Sequence, residues 1–284
     1  GDLHIPEMWA RGLFSDLTAG VVLDEELELS HPMLAPPPPP SGQDTSMVWL
    51  PAATVTLGPD PTDPVHSPAH EVEVPGFWMD RYEITIAEYA AFLNEGGRDE
   101  HYRERMQSPE LCGLIQEGPG EYRTLPGRGD YPIVFATQAD AQAYAASRSK
   151  HLPSEAMWER AARGAEGRTY PWGEQAINPH LANYDFHYGG TLPVGSFPGG
   201  VTPEGIHDLA GNVKEWTTSI FYPYPGGADY EHWFNFPFFS EPCPEKSWQP
   251  VNRGGSWTAQ EKTMPSAYRD SHVAHNGGFR CVRF

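Results

Sequence analysis

Between His207 and Trp216 the chain reads HDLAGNVKEW, which sets Asp208 and Glu215 seven residues apart with Gly211 and Asn212 between them. Glycine and asparagine tolerate left-handed backbone conformations, so a loop of this make-up can bring both carboxylates around one cation. Calcium takes six to eight oxygen ligands, and two carboxylates supplemented by carbonyls such as those of Gly211 and Val213 suit it better than they suit zinc. The same residues would also serve a turn in which the aspartate caps the backbone and the glutamate is solvated. Residue types alone leave the two readings even. HSPAH at 66–70 sets His66 and His70 four apart, but Pro68 argues against the helix that would align both rings on a metal. Cys112, Cys243 and Cys281 form no CxxC pair, which argues against a zinc or thioredoxin-type site, and an odd count leaves the redox compartment open.

Thirty Pro and twenty-nine Gly in 284 residues imply a chain made largely of turns and loops, pinned by aromatic side chains. Thirty-eight Asp and Glu against nineteen Lys and Arg give a net charge of −19, a field that repels phosphate backbones and anionic lipid. Nucleic acid is therefore not expected as a partner. No apolar run is long enough to span a bilayer, so no membrane span is expected either. Residues 1–45 read as an N-terminal arm whose Pro36–Pro40 run favours polyproline II, a conformation that spaces or docks but cannot join a sheet. From Met47, MVWLPAATVTLG and then HEVEVPGFWMDRYEIT alternate as two strands with a loop between them. Thr85 with Glu88 and Thr137 with Asp140 are spaced as N-terminal caps of helices reaching Asn94 and Ser147. A third helix runs from Ser154 to Arg163, between Pro153 and Gly164. Residues 46–284 read as one domain.

LPSEAMWERAARG, YPWG, HDLAGNVKEW, NRGGSW and GGFRCVRF follow one another in a definite order, and VWLPAATVTLG and FWMDRYEITIAEYAAFL precede them. Together they resemble the formylglycine-generating-enzyme (FGE-sulfatase, or sulfatase-modifying-factor) family over residues 46–284. The resemblance implies an α+β, modified C-type-lectin-like fold that is loop-rich, with a small antiparallel sheet, peripheral helices and bracing calcium ions. It also implies a periplasmic or secreted setting, with a signal peptide already removed.

In aldehyde-forming members of that family a cysteine lies three residues after the Ser of the GGS motif and a second lies five residues later. Those positions are Ala259 and Met264 in this sequence, so formylglycine formation is not expected. Cys281 matches a cysteine whose usual partner position is Ala145. The resemblance supports structural calcium at Asp208, Gly211, Val213 and Glu215, and implies a second site at Asn183 and Tyr184 with Asp185 and Tyr188. It places Ser256, Trp257, Tyr268 and His272 around a cleft for a small molecule or peptide, with Glu261, Lys214 and Arg269 as candidates for acid–base and anion-holding roles. Lys214 stands where relatives often carry Trp. Two functions follow: oxidative tailoring of the pyoverdine-maturation kind, or a lectin-like interaction subunit docking a protein through the arm and the aromatic loop 221–239.

Overall fold

The computed structural model describes residues 47–65, 67–97, 112–221, 223–227, 249–271 and 276–284. The N-terminal arm, His66, Cys243, His272 and most of the aromatic loop 221–239 lie outside the described residues.

Three α-helices stand among the described residues: α1 (Ile86–Asn94), α2 (Gln138–Ser147) and α3 (Glu155–Arg163). All three start where local chemistry places them. Glu88 N–H donates to Thr85 Oγ1 at 3.3 Å while Thr85 N–H donates to Glu88 Oε2 at 2.9 Å, a reciprocal cap that satisfies two otherwise orphaned donors. Thr137 and Asp140 repeat it for α2, and Ser154 Oγ accepts from Met157 N–H for α3.

The two alternating stretches near the start each hold two strands rather than one. Pro51 separates β1 (Met47–Leu50) from β2 (Ala53–Leu57), and Pro75 with Gly76 separates β3 (His70–Val74) from β4 (Phe77–Asp80). A proline cannot donate to a ladder, so each stretch bends there and its halves pair in different sheets. β2 pairs antiparallel with β3, while β4 lies between β1 and the C-terminal β10 (Val282–Arg283). β5 (Leu114–Gly118) and β6 (Glu121–Thr124) form a hairpin. β7 (Lys214–Ile220) is central in the last sheet, antiparallel to β8 (Pro250–Arg253) and parallel to β9 (Gly277–Gly278). The architecture is the expected loop-rich α+β one, with its strand pairing divided among four small sheets.

One core lies under α1 and α2, where Tyr144 meets Phe92 and Phe279 edge-on at 5.4 and 5.3 Å. Another packs the fully buried Trp158 of α3 against Leu50, Phe77, Met79 and Val282. No described helix is long and apolar enough to cross a membrane.

Candidate functional site

Three loops interleave behind β7, and their backbones ladder together. Gly211 N–H donates to Gly254 O at 2.7 Å, Asn212 N–H to Asn183 O at 2.9 Å, Trp257 N–H to Asn212 O at 3.0 Å and Phe186 N–H to Trp257 O at 2.8 Å. The approach at Gly211 is so close that a Cβ there would lie 2.2 Å from Asn183 O, and its φ is +89°, so glycine is required on two counts. Asp208 and Asn212 also sit at positive φ, 58° and 62°, the left-handed region that Asn and Asp enter most readily.

This turn buries its charges completely. Glu215 is held by Arg280, whose Nε donates to Oε2 at 2.8 Å and Nη2 to Oε1 at 2.6 Å, and Trp158 Nε1–H donates to Oε2 at 2.8 Å. Asp208 Oδ2 accepts from Gly195 N–H at 2.6 Å. Glu83 accepts from Asn212 Nδ2 at 2.7 Å and from Val213 N–H at 3.2 Å. Burial, then repulsion from Asp208 and Glu215, pushes the Glu83 carboxyl well above its usual range. Burial raises Asp208 as well, to about 6, with Glu215 adding to the rise. Three carboxylates thus share one guanidinium. His207, beside Arg280 and Arg81, is pushed down to about 4, chiefly by burial.

As a calcium site the turn fits in charge better than in free ligands. The excess negative charge suits a divalent cation, yet both oxygens of Glu215 already accept from Arg280. Among the described residues no group of three or more His, Cys, Asp or Glu side chains converges closely enough to hold a metal ion. At the Asn183 position, Asn183 Nδ2 donates to Gly190 O and Asn212 Oδ1 while Oδ1 is buried without a hydrogen-bond partner, an acceptor that a cation would satisfy. The Tyr184 carbonyl there accepts from His187 N–H at 3.1 Å and lies 2.8 Å from His187 Nδ1. Asp185 N–H donates to Ala259 O, and Tyr188 Oη–H donates to Pro179 O.

The expected cleft residues separate into two groups. Ser256 is buried at a polar junction, its Oγ accepting from Asn276 Nδ2 at 2.5 Å and lying 3.1 Å from Thr258 Oγ1. Lys214 reaches this junction through the backbone, its N–H donating to Asn276 O at 3.0 Å, and its ammonium pairs with Asp270. Trp257 closes the side by meeting Phe186 edge-on at 5.2 Å. Tyr268 is half-buried, and burial with Asp270 and Asp60 nearby raises its phenol.

Arg269 and Glu261 do not join them. Arg269 is buried with Nε and Nη2 on Glu155 at 2.6 and 2.9 Å, Nη1 on Ser67, and its guanidinium 3.9 Å from the Tyr224 ring centroid. A guanidinium so engaged ties the segment at 269 to α3 and to Ser67. Glu261 begins an exposed single 3₁₀ turn, Glu261–Thr263, with Tyr170 and Tyr184 as its electrostatic neighbours. Neither is a neighbour of Arg269 or Lys214 in these contacts. Asp270, Asn276 and Thr258 enter the site without having been singled out in the sequence. The only signal for them was their nearness to the GGS and GGFRC motifs.

Residues 34–284 match the sulfatase-modifying factor enzyme 1-like domain. The chain belongs to that family. It is 29% identical to the serine/threonine-protein kinase Pkn1 of Chlamydia trachomatis over 99% of this chain and 44% of that protein. It is 33% identical to hercynine oxygenase of Mycolicibacterium smegmatis over 78% of this chain and 56% of that one. The chain therefore spans about half the length of these curated relatives. Among solved structures, PvdO from Pseudomonas aeruginosa superposes with a TM-score of 0.61 at 27% identity, covering 84% of this chain and 93% of that chain.

Ala259 and Met264 meet at one spot. A Cβ placed on Gly255 would lie 2.7 Å from Met264 Sδ and 3.4 Å from Ala259 Cβ, so both side chains converge on that glycine. Met264 is fully buried with Ile177, Ala182, Tyr184 and Ala210, and Ala259 packs against the same group. The floor they form is apolar. Cys281 forms no disulfide and lies in the core, where burial pushes its thiol well up.

Proposed function

We propose that this chain performs an oxidative tailoring of a small molecule or peptide, in the manner of the pyoverdine-maturation members of the family, and does not make formylglycine. The observation that carries the reading is the convergence of Ala259 and Met264 on Gly255 beside an intact polar junction of Ser256, Thr258 and Asn276. A soft-metal site needs thiolates that alanine and a thioether do not replace. The polar groups beside it remain able to bind and orient a ligand. Support for oxidative chemistry comes from a relative named as an oxygenase. Support for the pyoverdine-maturation comparison comes from PvdO, matched over 93% of its length.

In this reading Ser256, Thr258 and Asn276 position the substrate by hydrogen bonds, Trp257 stacks against it, and the Lys214–Asp270 pair holds or moves a proton. Structural calcium belongs to the same proposal. Asp208 and the Gly211 and Val213 carbonyls would share one ion beside Glu215, whose own oxygens Arg280 holds. Asn183 would hold a second with Asp185 and the Tyr184 and Tyr188 carbonyls. Supporting it are the buried carboxylate excess around Arg280 and the unpartnered Asn183 Oδ1. An extracytoplasmic setting suits such sites, since calcium modules working there need only bind at about 10⁻⁴–10⁻³ M.

The test uses purified protein in air with a CxPxR sulfatase peptide plus copper, and separately with pools of small metabolites and short peptides, read by mass spectrometry. The expected result is no aldehyde on the sulfatase peptide, and on a pool component a loss of two hydrogens or gain of one oxygen that disappears with Lys214→Met. Aldehyde formation would sink the reading.

A further inference from the structure

The outer face of the β1–β4–β10 sheet carries a row of side chains that the fold leaves in solvent. Register pairs Trp49 of β1 with Trp78 of β4, and Trp78 in turn with Arg283 of β10. Alternation along each strand buries Val48, Leu50, Phe77, Met79 and Val282 on the inner face and turns the two tryptophans and the arginine outward. Trp49 is 47% exposed and Trp78 is 38% exposed, against 2% or less for Trp158 and Trp216. Their ring centroids lie 5.5 Å apart with planes inclined at 53°, so the indoles form an open wedge rather than a closed stack.

The wedge is also held in place. The Trp49 ring leans over the turn before β4, where a Cβ on Gly76 would lie 2.7 Å from Trp49 Cη2, so glycine there is what lets the indole lie down. Two indoles fixed on a strand pair, with a guanidinium beside them, have the make-up of a surface that takes a polyproline II segment. Pyrrolidine rings fill the aromatic groove, and a nearby donor meets the segment's free carbonyls.

The chain itself carries such a segment. Pro36–Pro40 is followed by the six residues Ser41–Ser46, and β1 begins at Met47. Six linking residues span up to about 20 Å, and Trp49 lies only two strand positions beyond Met47, so the run can fold back over both indoles. Five prolines in polyproline II extend about 15 Å, enough to cross a wedge of two rings and reach Arg283.

We propose that the Trp49–Trp78 wedge is a docking site for the chain's own Pro36–Pro40 run, with Arg283 donating to a carbonyl of that run. The run thereby covers an aromatic patch of the kind that otherwise marks an interaction surface.

The test is on the full chain, with ¹⁵N-labelled indoles assigned through Trp49→Phe and Trp78→Phe. It compares wild type with a variant carrying Pro36→Ser, Pro37→Ser, Pro38→Ser, Pro39→Ser and Pro40→Ser together. In the variant the Trp49 and Trp78 indole N–H resonances should shift and become more susceptible to a soluble paramagnetic probe, with the melting temperature unchanged. A free oligoproline peptide should then shift those two resonances in the variant and far less in wild type, where the tethered run competes at an effective concentration in the millimolar range. Identical resonances and probe susceptibility in the two proteins would overturn the proposal. So would wild-type protection that disappears on dilution, since that marks a second copy as the occupant.

Discussion

Two buried charge clusters, one behind α3 and one behind the 207–213 turn, solve the same problem differently. In the first, Glu155 and Glu159 face Arg253, Arg269 and Arg163. Glu155 Oε1 accepts from Arg253 at 2.7 Å and from Arg269 at 2.6 Å, and Glu159 takes Arg253 on one oxygen and Arg163 with Gly58 N–H on the other. In the second, Glu83, Asp208 and Glu215 share Arg280. Burial raises Glu155 as it raises Glu83, but Arg253 and Arg269 more than offset it, so Glu155 ends below its usual value and Glu83 well above. Counter-charge, not depth, decides which carboxylate is ionised. The first cluster has counter-charge to spare, two carboxylates against three guanidinium groups. The second asks for a proton or a cation.

The largest effect should come from removing the cation that the two glutamates of the first cluster share. Arg253→Ala leaves Glu155 and Glu159 short of a shared partner in a fully buried place, and removing one member of a buried ion pair costs about 3–5 kcal/mol. Denaturant unfolding should show that loss. A cost under about 1 kcal/mol, the size expected of an exposed pair, would break the comparison.

Asp208→Asn should reverse sign with conditions. Asp208 has a folded value of about 6 against an ordinary 3.8, so its contribution to stability is full below about pH 4 and is lost as pH rises through 6. At pH 8 in chelator the substitution removes that penalty, on the order of 3 kcal/mol for a shift of this size, while an amide oxygen still accepts from Gly195. With calcium bound the carboxylate is an asset, and the same substitution should lower the melting temperature. Chelator should likewise lower wild-type melting at pH 8, with calcium restoring it. Unchanged melting in both tests would remove the cation from the second cluster.

The contrast also explains what the sequence could show. Helix starts were legible at Thr85, Thr137 and Ser154 because a cap is a contact three residues long. Strand number was not, because Pro51 and Pro75 reassign each half-stretch to a partner distant in sequence. Asp208 and Glu215 stood out as a pair, but Arg280 lies 65 residues beyond Glu215 and Asn212 meets Glu83 across 129, distances over which residue types carry no signal. Arg269 sat in the right stretch for a cleft and was claimed instead by Glu155, 114 residues away.

Lys214 and Asp270 form an intermediate case, an ion pair in a partly buried setting. Lys214→Met should therefore cost about 1.5–3 kcal/mol, the worth of a charged hydrogen bond, while abolishing turnover. Asp270→Asn should do the same. Retained turnover in both would sharpen the pair into a structural element like Arg253 and leave Ser256, Thr258 and Asn276 as the working group.

The smallest effect belongs to Glu261, which is exposed and outside both clusters. Glu261→Gln should change stability by less than about 0.5 kcal/mol, as surface substitutions do. It should nonetheless be visible in one titration. The Tyr184 phenol is raised to about 12, first by burial and next by the negative charge of Glu261, so neutralising that charge should lower it. Tyrosinate absorbance, taken as a difference against the same variants carrying Tyr184→Phe, reads that shift. Turnover provides the decisive arm. Glu261 lies on an exposed 3₁₀ turn away from the Ser256, Thr258 and Asn276 junction, so Glu261→Gln should keep the rate that Lys214→Met loses. Collapse of turnover in Glu261→Gln alone would return the base to the 3₁₀ turn and take it from the Lys214–Asp270 pair.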